Sequence, residues 1–177
     1  MHRLINAVGF QIGWFICIAS VRYGLDIPAI CICGVLVGIH LFYAYAPWKD
    51  VKLALLCLFF GIALDSGLQF FAVISFYGWA LGPLSPFWLW MIWVMFALTL
   101  NSSLSFLQNY HLSLSALAGF LFGPLSYVAG AKLGAATLEQ SLLPITTLAI
   151  TWMITLPLLV FISSSALPHN EVTHDAT

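Results

Sequence analysis

Six separate stretches of this chain are each long and apolar enough to cross a lipid bilayer, and they constrain the fold more than any motif does. A spanning helix needs about 20 mainly apolar residues. The stretches run from about Leu4 to Ser20, Ile27 to Ala46, Lys52 to Phe71, Phe87 to Leu107, Ser113 to Gly130 and Leu142 to Ser163. Polar or turn-forming residues bound them. Arg3 and Arg22 flank the first, Asp26-Ile27-Pro28 opens the second, Pro47-Trp48-Lys49-Asp50 closes it, and Pro86 opens the fourth. Pro144 falls in the first turn of the sixth, where a missing N–H does little harm. Composition agrees. Hydrophobic residues make up 62% and charged residues 6%, with a mean hydropathy of +1.04, whereas a soluble domain carries roughly 25% charged residues. This excludes a water-soluble enzyme, a disordered chain and a nucleic-acid binder. Five Lys+Arg cannot build a phosphate-binding surface.

The expectation is an all-α, polytopic membrane protein with six transmembrane helices. Residues 1–163 form one bundle, and 164–177 form a polar, disordered tail. Residues 72–86 are rich in Gly, Tyr and Trp and include Gly78, Gly82 and Pro83. They read either as an interfacial, partly re-entrant connection or as a third helix continuing past Phe76. The first stretch reads as an anchor rather than a cleaved leader, because it is long, carries Gln11 and Trp14, and is followed by no Ala-x-Ala site. An even number of spans places both termini on one side. That side holds Arg3, Lys49 and Lys52 against Arg22 and Lys132, which favours the cytoplasm. Trp48, Trp79, Trp88, Trp90 and Trp93 read as interfacial anchors.

Between helices in lipid, small residues permit close approach. Gly9-x-x-x-Gly13, Gly34-x-x-x-Gly38, Gly119-x-x-x-Gly123 and Gly130-x-x-x-Gly134 point to tight packing, within one subunit or through a homo-oligomer or another membrane partner. In the first helix Asn6, Gly9, Gly13, Cys17 and Ser20 share a face that should point inward. In the fourth, Ala97, Asn101, Ser105 and Gln108 form a similar stripe. Cys17, Cys31, Cys33 and Cys57 lie in apolar runs and read as small hydrophobes.

An ionisable residue in a membrane costs about 2.5–3.5 kcal/mol on insertion scales. Asp65 is the clearest case, roughly 20 Å along its helix at 1.5 Å per residue. It reads as a proton carrier, a cation ligand or a substrate contact, or else as a hydrogen-bonded packing residue. Gln69 follows one turn on. Lys132 approaches the same membrane face and either snorkels to the interface or pairs with Asp65. Pro124 should kink the fifth helix at Gly123-Pro124, because it lacks an N–H and clashes with the Phe120 carbonyl. Tyr127 falls at about the depth of Asp65. These four residues, Asp65, Gln69, Tyr127 and Lys132, form the candidate ligand site. A second polar layer, Gln11, His40 and Asn101, lies roughly 10 Å from the cytoplasmic side. No HExxH, GxSxG, Walker A or Rossmann pattern occurs. No catalytic residue, metal or cofactor is assigned.

The aspartate within Gly61 to Gly67, Pro86-Phe87-Trp88 with Trp93 and Phe96-Ala97, and Gly123-Pro124-Leu125-Ser126-Tyr127 with Gly130, Leu133, Gly134 and Ala135 resemble the DUF2878 family, as does Gly13-Trp14. The Gly-Pro-Leu-Ser-Tyr block is the most specific part. The resemblance implies a small bacterial inner-membrane protein without an assigned activity, and it tilts the reading toward lipid chemistry. It carries over no catalytic residue. Three functions stay open: a non-enzymatic module binding or moving a small or lipid-like ligand, a membrane enzyme of lipid metabolism using Asp65 or His40 as base, and a structural or assembly subunit.

Overall fold

The computed structural model describes residues 2–139 and 141–165. Six α-helices run in chain order: α1 His2–Val21, α2 Asp26–Tyr43, α3 Pro47–Phe70, α4 Phe87–Leu100, α5 Leu112–Lys132 and α6 Leu142–Ser165. All but α4 are long and apolar enough to cross a membrane. The chain therefore has the architecture of a multi-pass membrane protein. The start of α1 meets the end of α2 through Asn6 and His40, the start of α3 meets the end of α4 through Asp50 and Asn101, and Gln108, just before α5, meets Ser163 at the end of α6. Most of the predicted tail, with its His169 and His174, lies outside the described residues; its first two residues, Ser164 and Ser165, are helical.

The third helix starts earlier than expected. Pro47 occupies its first turn and Asp50 supplies the acidic residue there, where a fixed φ and a negative charge both suit a helix N-terminus. What reads as a closing linker is therefore the opening of α3.

The fourth helix departs further. It has 14 residues, about 21 Å of rise, against roughly 30 Å of hydrocarbon. Asn101 to Leu104 form turns and Ser105–Asn109 a 3-10 helix. The predicted stripe of Ala97, Asn101, Ser105 and Gln108 therefore does not exist as a helix face. Side chains of Ser, Thr and Asn compete for backbone hydrogen bonds and break regular helix. Here Thr99 Oγ1 donates to Phe96 O at 2.6 Å and Ser105 Oγ to Ser102 O at 2.8 Å. Such irregular backbone is tolerated at depth only when enclosed by protein. The helix leading into it is buried at Trp88, Leu89, Trp93, Met95, Ala97, Leu98, Thr99 and Leu100, with α1, α2 and α3 packed around it, and residues 101–105 are half-buried, with Asn101 and Ser103 bonded to Asp50 and Asn6.

Residues 72–86 do not continue α3. Ser75–Phe76 (β1) pair antiparallel with Ala136–Thr137 (β2), in the register Ser75 with Thr137 and Phe76 with Ala136. Tyr77 N donates to Ala135 O at 2.9 Å, and the Tyr77 hydroxyl meets Thr137 Oγ1. This loop leans on the α2 end of the bundle, where Trp79 N donates to Asp26 Oδ2 at 2.8 Å. Gly78 makes that approach possible. Its φ is +105°, and a Cβ there would lie 2.6 Å from Asp26 Oδ2.

The α5–α6 pair is the tightest in the bundle, and glycine explains it. A Cβ on Gly119 would strike the Trp152 backbone, and one on Gly123 would strike its indole. The other GxxxG pairs differ from expectation. Gly13 abuts Met95 and Cys33, but Gly9, Gly34 and Gly38 have nothing within 4 Å. Those three contribute no close contact inside the described chain, because the faces carrying them have no helix against them. Gly134 lies beyond α5 in the turn to β2, with φ +91°. α5 runs as an uninterrupted helix through Pro124.

Candidate functional site

Asp65 lies on α3 and is 0% exposed. Gly61, one turn earlier, makes room for an indole. A Cβ at that position would fall on the Trp93 ring, so Trp93 of α4 lies directly on the α3 backbone. From there Trp93 Nε1 donates to Asp65 Oδ2 at 2.6 Å. Tyr127 of α5 donates its hydroxyl to Asp65 Oδ1 at 2.5 Å. Each carboxyl oxygen thus accepts one short hydrogen bond. The cluster continues into α6. Trp152 stacks on Trp93 with ring centroids 5.4 Å apart and planes 10° from parallel, in the space that Gly123 leaves open.

Beside this cluster lies a cavity of about 530 Å³. α1 contributes Gln11 and Trp14, α4 contributes Ile92 and Trp93, and α5 contributes Ser126 and Tyr127, with Phe106 and Leu107 from the 3-10 turn. No charged side chain is among its lining residues. Asp65 does not line it. Trp93 and Tyr127 present ring surface to the cavity and turn their polar ends away, onto Asp65. The carboxyl group therefore fixes the orientation of two wall residues from behind.

The predicted four-residue site is split. Asp65 and Tyr127 meet. Gln69 does not join them, since its Oε1 accepts from Phe76 N at 3.2 Å and anchors β1 to the end of α3. Lys132 is exposed, and no ion pair joins it to Asp65 among the described residues. At the α5 C-terminus its long stem reaches outward more readily than it bends into a sealed pocket.

The second polar layer is likewise only partly as expected. His40 and Asn101 meet through Asp50, which the sequence reading places in a linker. His40 Nε2 lies 3.4 Å from Asp50 Oδ2, and Asn101 Nδ2 donates to Asp50 Oδ1 at 2.9 Å. Asn6 adds its Nδ2 at 3.2 Å from His40 Nδ1 and accepts from Ser103 Oγ at 2.8 Å. A neutral imidazole protonated on Nε2 satisfies both of its contacts. Gln108 Nε2 extends the network to Leu100 O at 2.9 Å and Ser163 Oγ at 3.1 Å. Gln11 is not part of it; it is exposed and borders the cavity instead.

Trp93 and Trp152 complete the Asp65 cluster, and sequence reasoning missed their part in it. Trp93 sits six residues into α4, too deep for an interfacial anchor, and that position was the available signal. Cys17 and Cys33 are both fully buried, with sulfurs 3.5 Å apart, while Cys31 is exposed. Among the described residues no three His, Cys, Asp or Glu side chains gather into a metal-binding group.

The family of proteins described as "Protein of unknown function (DUF2878)" matches residues 3–158. The chain belongs to the DUF2878 family. The match takes in the whole Asp65 cluster, the cavity and all of the Asp50 network but Ser163. No curated protein and no solved structure matches the chain.

Proposed function

We propose that the protein is a non-enzymatic membrane module that binds or moves a lipid-like ligand, and that the ligand occupies the cavity between α1, α4 and α5. One observation carries the reading: an uncharged, largely apolar cavity of about 530 Å³ set among membrane-length helices. Ligand pockets span roughly 300–1,000 Å³ and are mainly apolar with a few placed polar groups. α1 and α5 make few contacts with each other, which leaves an opening toward the bilayer, where Phe122 and Leu125 are exposed. In this reading Trp93 and Tyr127 touch the ligand, and Asp65 positions them. Pro124 is the point at which α5 bends around the cavity. The setting is a bacterial inner membrane with both termini in the cytoplasm, supported by the count of flanking cations.

Filling the cavity tests this. Ser126→Phe and Ala118→Phe each place a ring on its wall. Purified in native-lipid nanodiscs, the parent protein is expected to retain a lipid at about one per chain in native mass spectrometry. Both variants are expected to lose it while keeping helical circular dichroism. Equal retention by folded variants would refute the assignment.

A further inference from the structure

The cavity reading leaves the chemical class of the ligand open, and the lining narrows it. Resting on that reading, we infer that the ligand is an uncharged lipid with one hydrogen-bonding oxygen, a hydroxyl or a carbonyl, and that the Gln11 amide holds that oxygen.

Gln11 stands nine residues into α1, about 14 Å from its start and so near the middle of the hydrocarbon. Its side chain lines the cavity and has no hydrogen-bond partner among the described residues. An amide left unpaired in hydrocarbon is costly. Most neighbouring polar groups are accounted for. Ser126 Oγ donates to Gly123 O at 3.1 Å, and Tyr127 and Trp93 are committed to Asp65. Trp152 Nε1 also lacks a partner, but it is sealed from open space. Gln11 and the Trp14 indole N–H are therefore the accessible polar groups of the lining with bonding capacity to spare, and of the two only the Gln11 amide can both donate and accept.

The absence of charge decides what it bonds. A phosphate or carboxylate in this cavity would find no cation on its wall, and a buried unpaired charge is strongly disfavoured. A neutral amide offers one carbonyl and two N–H groups, which suits a hydroxyl or a carbonyl oxygen equally.

Three probes with one chain and different heads separate the cases: octadecane, octadecanol and octadecyl phosphate. Each is titrated into the full-length protein in phosphatidylcholine nanodiscs. Indole fluorescence reports binding, since Trp14, Trp88, Trp93 and Trp152 line the cavity. Octadecanol is expected to bind about fivefold more tightly than octadecane, the worth of one net hydrogen bond, and octadecyl phosphate most weakly. Gln11→Leu is expected to bring octadecanol down to the octadecane level without weakening octadecane, and Gln11→Met, closer in shape, to do the same. Equal binding of the alcohol and the alkane by the parent protein overturns the inference, as does tightest binding of the phosphate or a preference that survives both variants. Each of these leaves the cavity assignment standing. If none of the three probes binds and Ser126→Phe changes nothing, the cavity assignment falls as well.

Discussion

Asp50 and Asp65 lie on one helix, fifteen residues or about 22 Å apart, and both are buried. Their partners differ in kind. Asp65 accepts from an indole and a phenol, the polar tips of two large rings whose remaining surface is apolar. Asp50 accepts from an amide and an imidazole, small polar groups that in turn bind Gln108 and Asn6, and Asn6 accepts from Ser103. The first arrangement is dry and self-contained, with each carboxyl oxygen matched to one donor. The second is an extended network near one end of the bundle, where His40 keeps 20% of its side chain exposed. A carboxyl deep among helices thus serves here to aim aromatic walls. A carboxyl near the end pins the unwound backbone of residues 101–104.

The largest effect should come from removing the deep carboxyl. Asp65→Leu strands the Tyr127 hydroxyl and the Trp93 N–H where no water can replace their acceptor. Each unsatisfied group costs about 1–3 kcal/mol, so a loss of about 3 kcal/mol or more is expected in SDS-induced unfolding. Cavity binding should fall with it, because both rings lose their orientation. Asp50→Leu strands Asn101 and His40, but there solvent can partly substitute. A loss of about 1–2 kcal/mol is expected, with cavity binding intact. Equal losses for the two leucine variants would erase the distinction between a dry and a solvated carboxyl.

Asp65→Asn sharpens the same comparison. An asparagine can accept from Trp93 Nε1 with its carbonyl and donate to the Tyr127 oxygen with its amide, since a phenol both donates and accepts. Both hydrogen bonds keep a partner in a slightly altered geometry, at a cost of about 1 kcal/mol. Ligand retention should survive, measured by native mass spectrometry. Complete loss of ligand binding in a folded Asp65→Asn protein would mean that the carboxylate acts on the ligand directly.

Periodicity and length made the helices legible, because each span needs its own apolar run. They could not reveal that α4 stops at Leu100. The run Phe87 to Leu107 is continuous in hydropathy, and the stop depends on Asn101 and Ser103 finding partners on α3 and α1. The β1–β2 pairing was equally hidden, since it joins two residues to two others 60 positions away. In the site, equal depth brought Asp65 and Tyr127 together correctly. The same counting misled on Gln69 and Lys132, because depth along the membrane says nothing about azimuth around a helix. The stack of Trp93 on Trp152 was written in Gly61, Gly119 and Gly123, but three glycines identify a close approach only once the opposing residue is known.

Lys132 supplies the smallest effect and the cleanest control. An Asp65–Lys132 ion pair would make Lys132→Gln about as damaging as removing the carboxylate's other partners, since breaking a buried pair leaves a charge uncompensated. Lys132 is instead exposed at the end of α5, and both oxygens of Asp65 already have donors. Surface substitutions away from special features stay within about 0.5 kcal/mol. Lys132→Gln is therefore expected to leave unfolding and ligand retention unchanged, and its effect should add to that of Asp65→Asn without coupling. A coupling energy above about 1 kcal/mol in that double-mutant cycle would place the lysine on the carboxylate, and the split between a sealed Asp65 cluster and a solvated end of the bundle would have to be redrawn.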